Sequence, residues 1–255
     1  MKSIESIKKD LKKIRLDILD MTFSANEGHI PSSLSVVEIL YSIYSILDDS
    51  DVFLLSKGHA SAGFYTILSY FGYIDKTTLR TYCDYDSILG GHPQSKKVPG
   101  VINSSGSLGH GLPMAVGYAL SKKIGKQKGN VYCLIGDGEA NEGTIWESAL
   151  HAYNLKLDNL ICVVDDNNSQ VRAMPSGDIE AKFSSFGWSS MVVDGHSVPE
   201  LVKATSTFSL EQPRCIVAKT TKGKGIKTLE DNFQEWHHKT PLLEEYEIFK
   251  KELLS

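Results

Sequence analysis

An apolar run, Val131–Ile135, breaks at Gly136-Asp137-Gly138, and a second, Leu160–Val164, breaks at Asp165-Asp166-Asn167-Asn168. Asp137 offers a hard carboxylate, Asn167 a neutral amide oxygen, and the backbone carbonyl of Ser169 a third oxygen. Three oxygens suit Mg2+, which binds few protein groups and completes its octahedron with phosphate oxygens and water. Gly136 and Gly138 let the backbone approach a diphosphate closely, and the following helix is expected to aim its N-terminus at that anion. Between Gly138 and Asn167 lie 28 residues, room for one helix and a return to the neighbouring parallel strand. Both polar clusters then fall at the carboxyl ends of adjacent strands, where open α/β sheets bind their ligands. GDG alone often marks only a turn. The strand before it, the spacing and the DDNN terminus together make it a candidate site.

The elements that must hold these groups can be read from periodicity. Over residues 3–21, Ile4, Ile7, Leu11, Ile14 and Ile18 recur at spacings of 3 and 4, which predicts a helix with one apolar stripe. Val36–Leu47 reads as a second helix, with Pro31-Ser32-Ser33 as its capping start. A Gly-rich loop (Gly106, Gly109, Gly111) opens the small-residue stretch Met114–Ser121, expected to be a closely packed helix. Then follow short apolar runs at Val131–Ile135, Leu160–Val164, Ser190–Val193 and Cys215–Ala218, with a helical stretch at Thr144–Asn154 between the first two. Apolar strands alternating with helices point to α/β architecture, a mostly parallel sheet with helices on both faces and an N-terminal helical layer. No internal repeat or linker divides the 255 residues, so one domain over 1–255 is expected.

Composition removes whole function classes. With 41% hydrophobic and 23% charged residues the chain is neither disordered nor a disulfide-framed miniprotein. A net charge of −4, with lysines scattered among acids, leaves no electrostatic footprint for nucleic acid. No run approaches the ~18 apolar residues of a membrane span. Cys83, Cys133, Cys162 and Cys215 form no CxxC pair and read as reduced core cysteines, which suits a cytoplasmic protein.

At the GDG block the chain resembles the thiamine diphosphate (ThDP) enzymes, whose shared signature is GDG, some 25–30 residues, then N or NN. Further segments narrow the resemblance to the transketolase family: EGHIPSSLS (27–35), LLSKGHASAG (54–63), GGHPQ (90–94) and SSGSLGHGLPMAVGYAL (104–120). After the GDG block come FGWSSMVVDGH (186–196), AKTTKGKGI (218–226) and EWHHKTP (235–241). The resemblance implies the ThDP-binding fold, with Asp137, Asn167 and the Ser169 carbonyl as Mg2+ ligands (Ca2+ or Mn2+ as substitutes). It implies Gly106, Ser107, Leu108, Gly138, Asn167 and Glu142 as cofactor contacts, Glu142 also near a subunit contact. His59 is expected to face the reactive part of the cofactor, and His29, His92 and His237 to line the substrate channel, His237 also touching cofactor.

Transketolases move a two-carbon ketol unit from a ketose to an aldose, or their phosphates, in carbohydrate metabolism such as the pentose phosphate pathway. Donor cleavage removes a proton from a hydroxyl and acceptor addition returns one, work suited to a group titrating near neutrality, with the cofactor as electron sink. His110, His151, His196 and His238 read as structural or surface residues. Nothing in the chain resembles the second, pyrimidine-binding domain that ThDP enzymes also need. The expectation is therefore the N-terminal subunit of a split transketolase, completed by a C-terminal partner in a heterotetramer. The alternatives are another ThDP enzyme (1-deoxyxylulose-phosphate synthase-like, a 2-oxo acid dehydrogenase alpha subunit, or a specialised biosynthetic transferase) and a non-catalytic assembly subunit. Nucleotide binding is weaker, because GSLGHG and TKGKGIKT fit neither glycine-loop spacing. Departures from the family pattern lie at 30–33, at Ser107 and His110, and in the segment SQVRAMPSG (169–177).

Overall fold

The computed structural model describes residues 2–169, 174–207 and 209–255. Five parallel strands form one sheet in the order β1-β2-β3-β5-β4: β1 (Val52–Leu55), β2 (Val131–Gly136), β3 (Leu160–Asp166), β4 (Ser189–Asp194) and β5 (Arg214–Lys219). β2 and β3 are buried along their whole length, which explains why their sequences are continuous apolar runs rather than alternating ones.

Alternate residues of those strands feed two cores. Tyr132, Leu134, Ile161, Val163 and Ile216 join the core built with α1 (Ile4–Ala25), α2 (Ile30–Ser35), α3 (Val37–Tyr44), α4 (Ser61–Tyr70), α8 (Val198–Ser206) and α10 (Leu243–Leu254). Cys133, Ile135, Cys162, Val164, Cys215 and Val217 face α5 (Gly111–Ile124), α6 (Gly143–Asn154) and α7 (Ile179–Ser185). Cys133, Cys162 and Cys215 are register partners across β2, β3 and β5, fully buried and free. A short α9 (Lys227–Asn232) precedes α10.

One expectation needs correction. Pro31-Ser32-Ser33 does not cap a helix starting at Val36: helix begins at Ile30, with Pro31 in the first turn where no N–H is needed, and breaks at Val36 before α3. The buried serines serve close packing instead, since a Cβ on Gly63 would come within 2.7 Å of the Ser33 carbonyl. The small-residue stretch Met114–Ser121 is helical and packs on the sheet through fully buried Ala115 and Ala119; the tightest approach lies one turn earlier, where a Cβ on Gly111 would meet Ser56 at 2.4 Å. The helix expected over Thr144–Asn154 is present as α6. A single 3-10 turn, Gly138–Asn141, follows β2 and α6 begins at Gly143.

Candidate cofactor and active site

Gly136 pairs with Asp165 at the carboxyl ends of β2 and β3, so Asp137 and Asn167 emerge side by side. Both are buried. Ser169 ties them together: its Oγ donates to Asp137 Oδ1 at 2.7 Å and its backbone N–H to Asn167 Oδ1 at 3.1 Å. The Asn167 amide is oriented from the other side, where Nδ2 donates to Asp165 Oδ2 at 2.8 Å and to Ser35 Oγ at 3.3 Å. Its oxygen is thereby turned toward Asp137 and Ser169. Among the described residues no group of three His, Cys, Asp or Glu side chains could hold a metal. The set on offer is instead one carboxylate, one amide oxygen and a backbone carbonyl, hard oxygens that fit a Mg2+-type ion sharing phosphate oxygens.

Beside this set lies an ionic cluster that the sequence reading missed. Asp165 is fully buried and accepts from Lys57 Nζ, Thr220 Oγ1, Ser35 Oγ and Asn167 Nδ2. Burial alone would push this carboxyl up, but the Lys57 ammonium and the hydrogen bonds outweigh it and hold it below the ordinary aspartate value. Lys222, also buried, touches His237 Nδ1 at 3.1 Å. Burial and then the Lys57 charge lower its pKa to about 8, against the pull of Asp137 and Asp165. Each lysine sits beside glycine at a strand end, in SKGHA and TKGKG, and that was the available signal.

A second missed residue is Glu139. Its carboxylate is buried and accepts from Ser56 Oγ, from Gly109 N at 2.8 Å and from Gly136 N at 3.1 Å, pinning the 106–111 loop to the end of β2. Gly109 makes this possible with φ +81, and a Cβ there would strike Thr144 Oγ1 at 2.5 Å. Burial pushes Glu139 above the usual glutamate range, the hydrogen bonds opposing it. Glu142, three residues on, is exposed at the start of α6.

These elements enclose a cavity of ≈570 Å3. Of the residues singled out from sequence, His29, His59, Gly106, Leu108, Asp137, Gly138, Glu142, Asn167, Ser169 and His237 line it; Lys57, Glu139 and Lys222 line it too. Ser107 and His92 do not, although the His92 ring lies 6.4 Å from His29, at the rim. His29 is the hub of the imidazoles, with ring centroids 5.6 Å from His59, 5.4 Å from His237 and 4.4 Å from His238. Desolvation, then the neighbouring imidazoles, lowers His29 to about 4. Desolvation and the Lys57 charge take His59 well below its usual value, and desolvation and Lys222 lower His237. At neutral pH these rings are therefore uncharged. His110, His151 and His196 stand apart from the cluster: His110 bonds the Leu108 carbonyl, His151 closes α6, and His196 bridges Glu38 and the Thr221 N–H. Residues 170–173 of the departing segment lie outside the described residues.

Residues 6–253 match the family described as transketolase, thiamine diphosphate binding domain. The chain belongs to this family. It is 37% identical to an apulose-4-phosphate transketolase subunit of Actinobacillus succinogenes, over 98% of this chain and 97% of that protein. The corresponding apulose-4-phosphate transketolase subunit of Phocaeicola vulgatus is 31% identical over 98% of this chain and 94% of its own length. The solved transketolase of Campylobacter jejuni superposes with a TM-score of 0.89 at 28% identity, over 99% of this chain but 43% of that one. The chain thus spans less than half of a full-length transketolase and nearly all of the relatives named as subunits.

Proposed function

We propose that this chain is the diphosphate- and metal-binding subunit of a two-subunit transketolase, transferring a two-carbon ketol unit from a ketose phosphate to an aldose. The observation that carries this reading is the meeting, in one cavity, of the Asp137–Asn167–Ser169 oxygen set with neutral His29, His59 and His237. The subunit names of the relatives it spans end to end support a partner, and their sugar-phosphate names support a phosphorylated substrate.

Asp137, Asn167 and the Ser169 carbonyl would hold Mg2+. Lys57 and Lys222, buried cations beside that set, would balance diphosphate charge, and the 106–109 loop pinned by Glu139 would press its backbone on the cofactor. When bound, ThDP supplies the electron sink for carbon–carbon cleavage. A neutral ring of the His29–His59 pair accepts the donor hydroxyl proton and returns it to the acceptor oxygen. Lys222 donates to His237 Nδ1, which leaves the His237 Nε2–H to donate a hydrogen bond to the sugar. His92 at the rim orients the incoming sugar. Residues 1–255 form one diphosphate-binding domain, the pyrimidine-binding half comes from the partner, and two copies of each subunit make a heterotetramer. Three thiols side by side in reduced form accord with the cytoplasm.

The test mixes this chain with the pyrimidine-domain subunit, ThDP and Mg2+, and follows ketol transfer from hydroxypyruvate or a ketose phosphate to an aldose. Turnover by the mixture and not by this chain alone is expected. A mixture that binds ThDP but turns over no donor would favour the non-catalytic assembly reading.

A further inference from the structure

We propose that His238 is a positioning residue for the ketol-transfer site: its imidazole, held by Glu27, stacks on His29 and fixes the plane in which His29 meets His59 and His237. This inference rests on the ketol-transfer reading above. From sequence, His237 and His238 differ by a one-residue ambiguity that the spacing after TTKGKG resolves towards His237, leaving His238 as a structural or surface residue.

His29 needs such a device. It enters α2 directly after Gly28, whose φ is +135 and where an added Cβ would lie 2.8 Å from Thr22 Cγ2, so the backbone path is fixed there. The ring itself makes no hydrogen bond to another described residue, so its torsions are set by packing alone. Three of the four neighbouring rings meet it at steep angles, 59° for His59, 72° for His92 and 87° for His237. His238 lies nearly face to face, at 27° and 4.4 Å. A ring stacked in this way restricts rotation of its partner, whereas an edge contact tolerates it.

His238 is itself anchored. Its Nε2 meets Glu27 Oε1 at 2.7 Å, across 211 residues of sequence, and Thr240 Oγ1 donates to Asn26 Oδ1 at 2.7 Å. Two side-chain bonds thus join the loop before α2 to the segment after α9, and His238 of the stacked pair makes one of them. An exposed ion pair of this kind adds little to global stability. Its consequence here is local, because Glu27 also sits two residues from His29. The titratable groups facing His29 are Glu27, His59, His92, His237 and His238.

A group that orients a proton acceptor acts on the transition state, so its loss lowers kcat and kcat/KM together and leaves KM nearly unchanged. The test uses the full chain with its partner subunit, hydroxypyruvate as donor and an aldose acceptor. In parallel it reads the 1H–13C signals of the histidine rings in the full chain. His238→Ala is expected to lower kcat about five- to tenfold with donor KM within about twofold, and to shift the His29 ring signals. His238→Phe keeps a flat ring over His29 and should restore most of kcat; Glu27→Gln should fall between. The proposal is overturned if His238→Ala leaves the His29 signals and kcat unchanged. It is equally overturned if Ala and Phe variants are impaired alike with His29 signals unmoved, the mark of a packing defect. Absence of ketol transfer by the wild-type pair would defeat the functional reading instead. The His29 signals then decide alone: movement in His238→Ala supports positioning, and no movement overturns it.

Discussion

The two ends of the same parallel sheet use their polar side chains in different ways. The amino end encloses the larger cavity, ≈740 Å3 against ≈570 Å3 at the carboxyl end. There the side chains answer backbone groups. Asp51 accepts from the Asn130 N–H, Lys122 donates to the carbonyls of Ser50 and Lys128, and buried Arg214 donates to those of Ala204, Thr205 and Thr207. Such bonds close turns and the end of α8. At the carboxyl end side chains answer one another: buried Lys57 and buried Asn167 with buried Asp165, buried Lys222 with exposed His237, half-buried Ser169 with buried Asp137. Cavity volume therefore does not locate the chemistry; ionisable groups held out of water in mutual contact do.

That contrast can be broken at its strongest point first. Lys57→Met leaves Asp165 buried without its counter-charge and should cost about 3–5 kcal/mol in urea unfolding, whereas Lys57→Met with Asp165→Asn should cost much less. Equal losses would mean that the pair is not the stabilising unit. Asp137→Ala removes one metal ligand and should weaken Mg2+-dependent ThDP binding more than about 100-fold, with the fold unchanged by circular dichroism; unchanged affinity would reassign the metal. At the opposite end Arg214→Met should lower stability by about 1–3 kcal/mol while ThDP affinity stays within about twofold. A large loss of affinity there would erase the distinction between the two ends.

The smallest effect is in pH. Folded His29 stays neutral down to about 4, while the unfolded chain takes up that proton near pH ~6.5. Between those values the unfolded state binds more protons, so stability rises with pH and is lost as pH falls from about 6.5 towards 4. Because His29 is only half-buried, the slope should fall short of the full ~1.4 kcal/mol per pH unit for one proton. Urea midpoints of the wild type minus His29→Gln across that window measure it, and parallel curves would refute it.

The sequence made the sheet legible where burial on both faces forces continuous apolar runs, as in Val131–Ile135 and Leu160–Val164, both of which are strands. The oxygen set was legible for the same reason: Asp137 and Asn167 stand where those runs stop. Lys57 and Lys222 were not, because a lysine in a single sequence reads as surface until tertiary packing buries it against Asp165 or His237. Glu139 escaped notice beside Glu142 because both stand in one GEANEG turn, and only the fold shows which points inward. The helix over 30–35 was hidden by its proline and serines, whose capping preferences yielded to close packing on α4.

The central claim, that the carboxyl end of this sheet is one half of a metal-dependent ThDP site, is tested most directly by titration calorimetry. ThDP would be titrated into this chain alone and into its mixture with the pyrimidine-domain subunit, each with Mg2+ and with EDTA. The account predicts tight binding in the mixture with Mg2+, lost in EDTA, and weak binding to the chain alone. Binding of equal strength with Mg2+ and with EDTA, or none in any mixture, would contradict it.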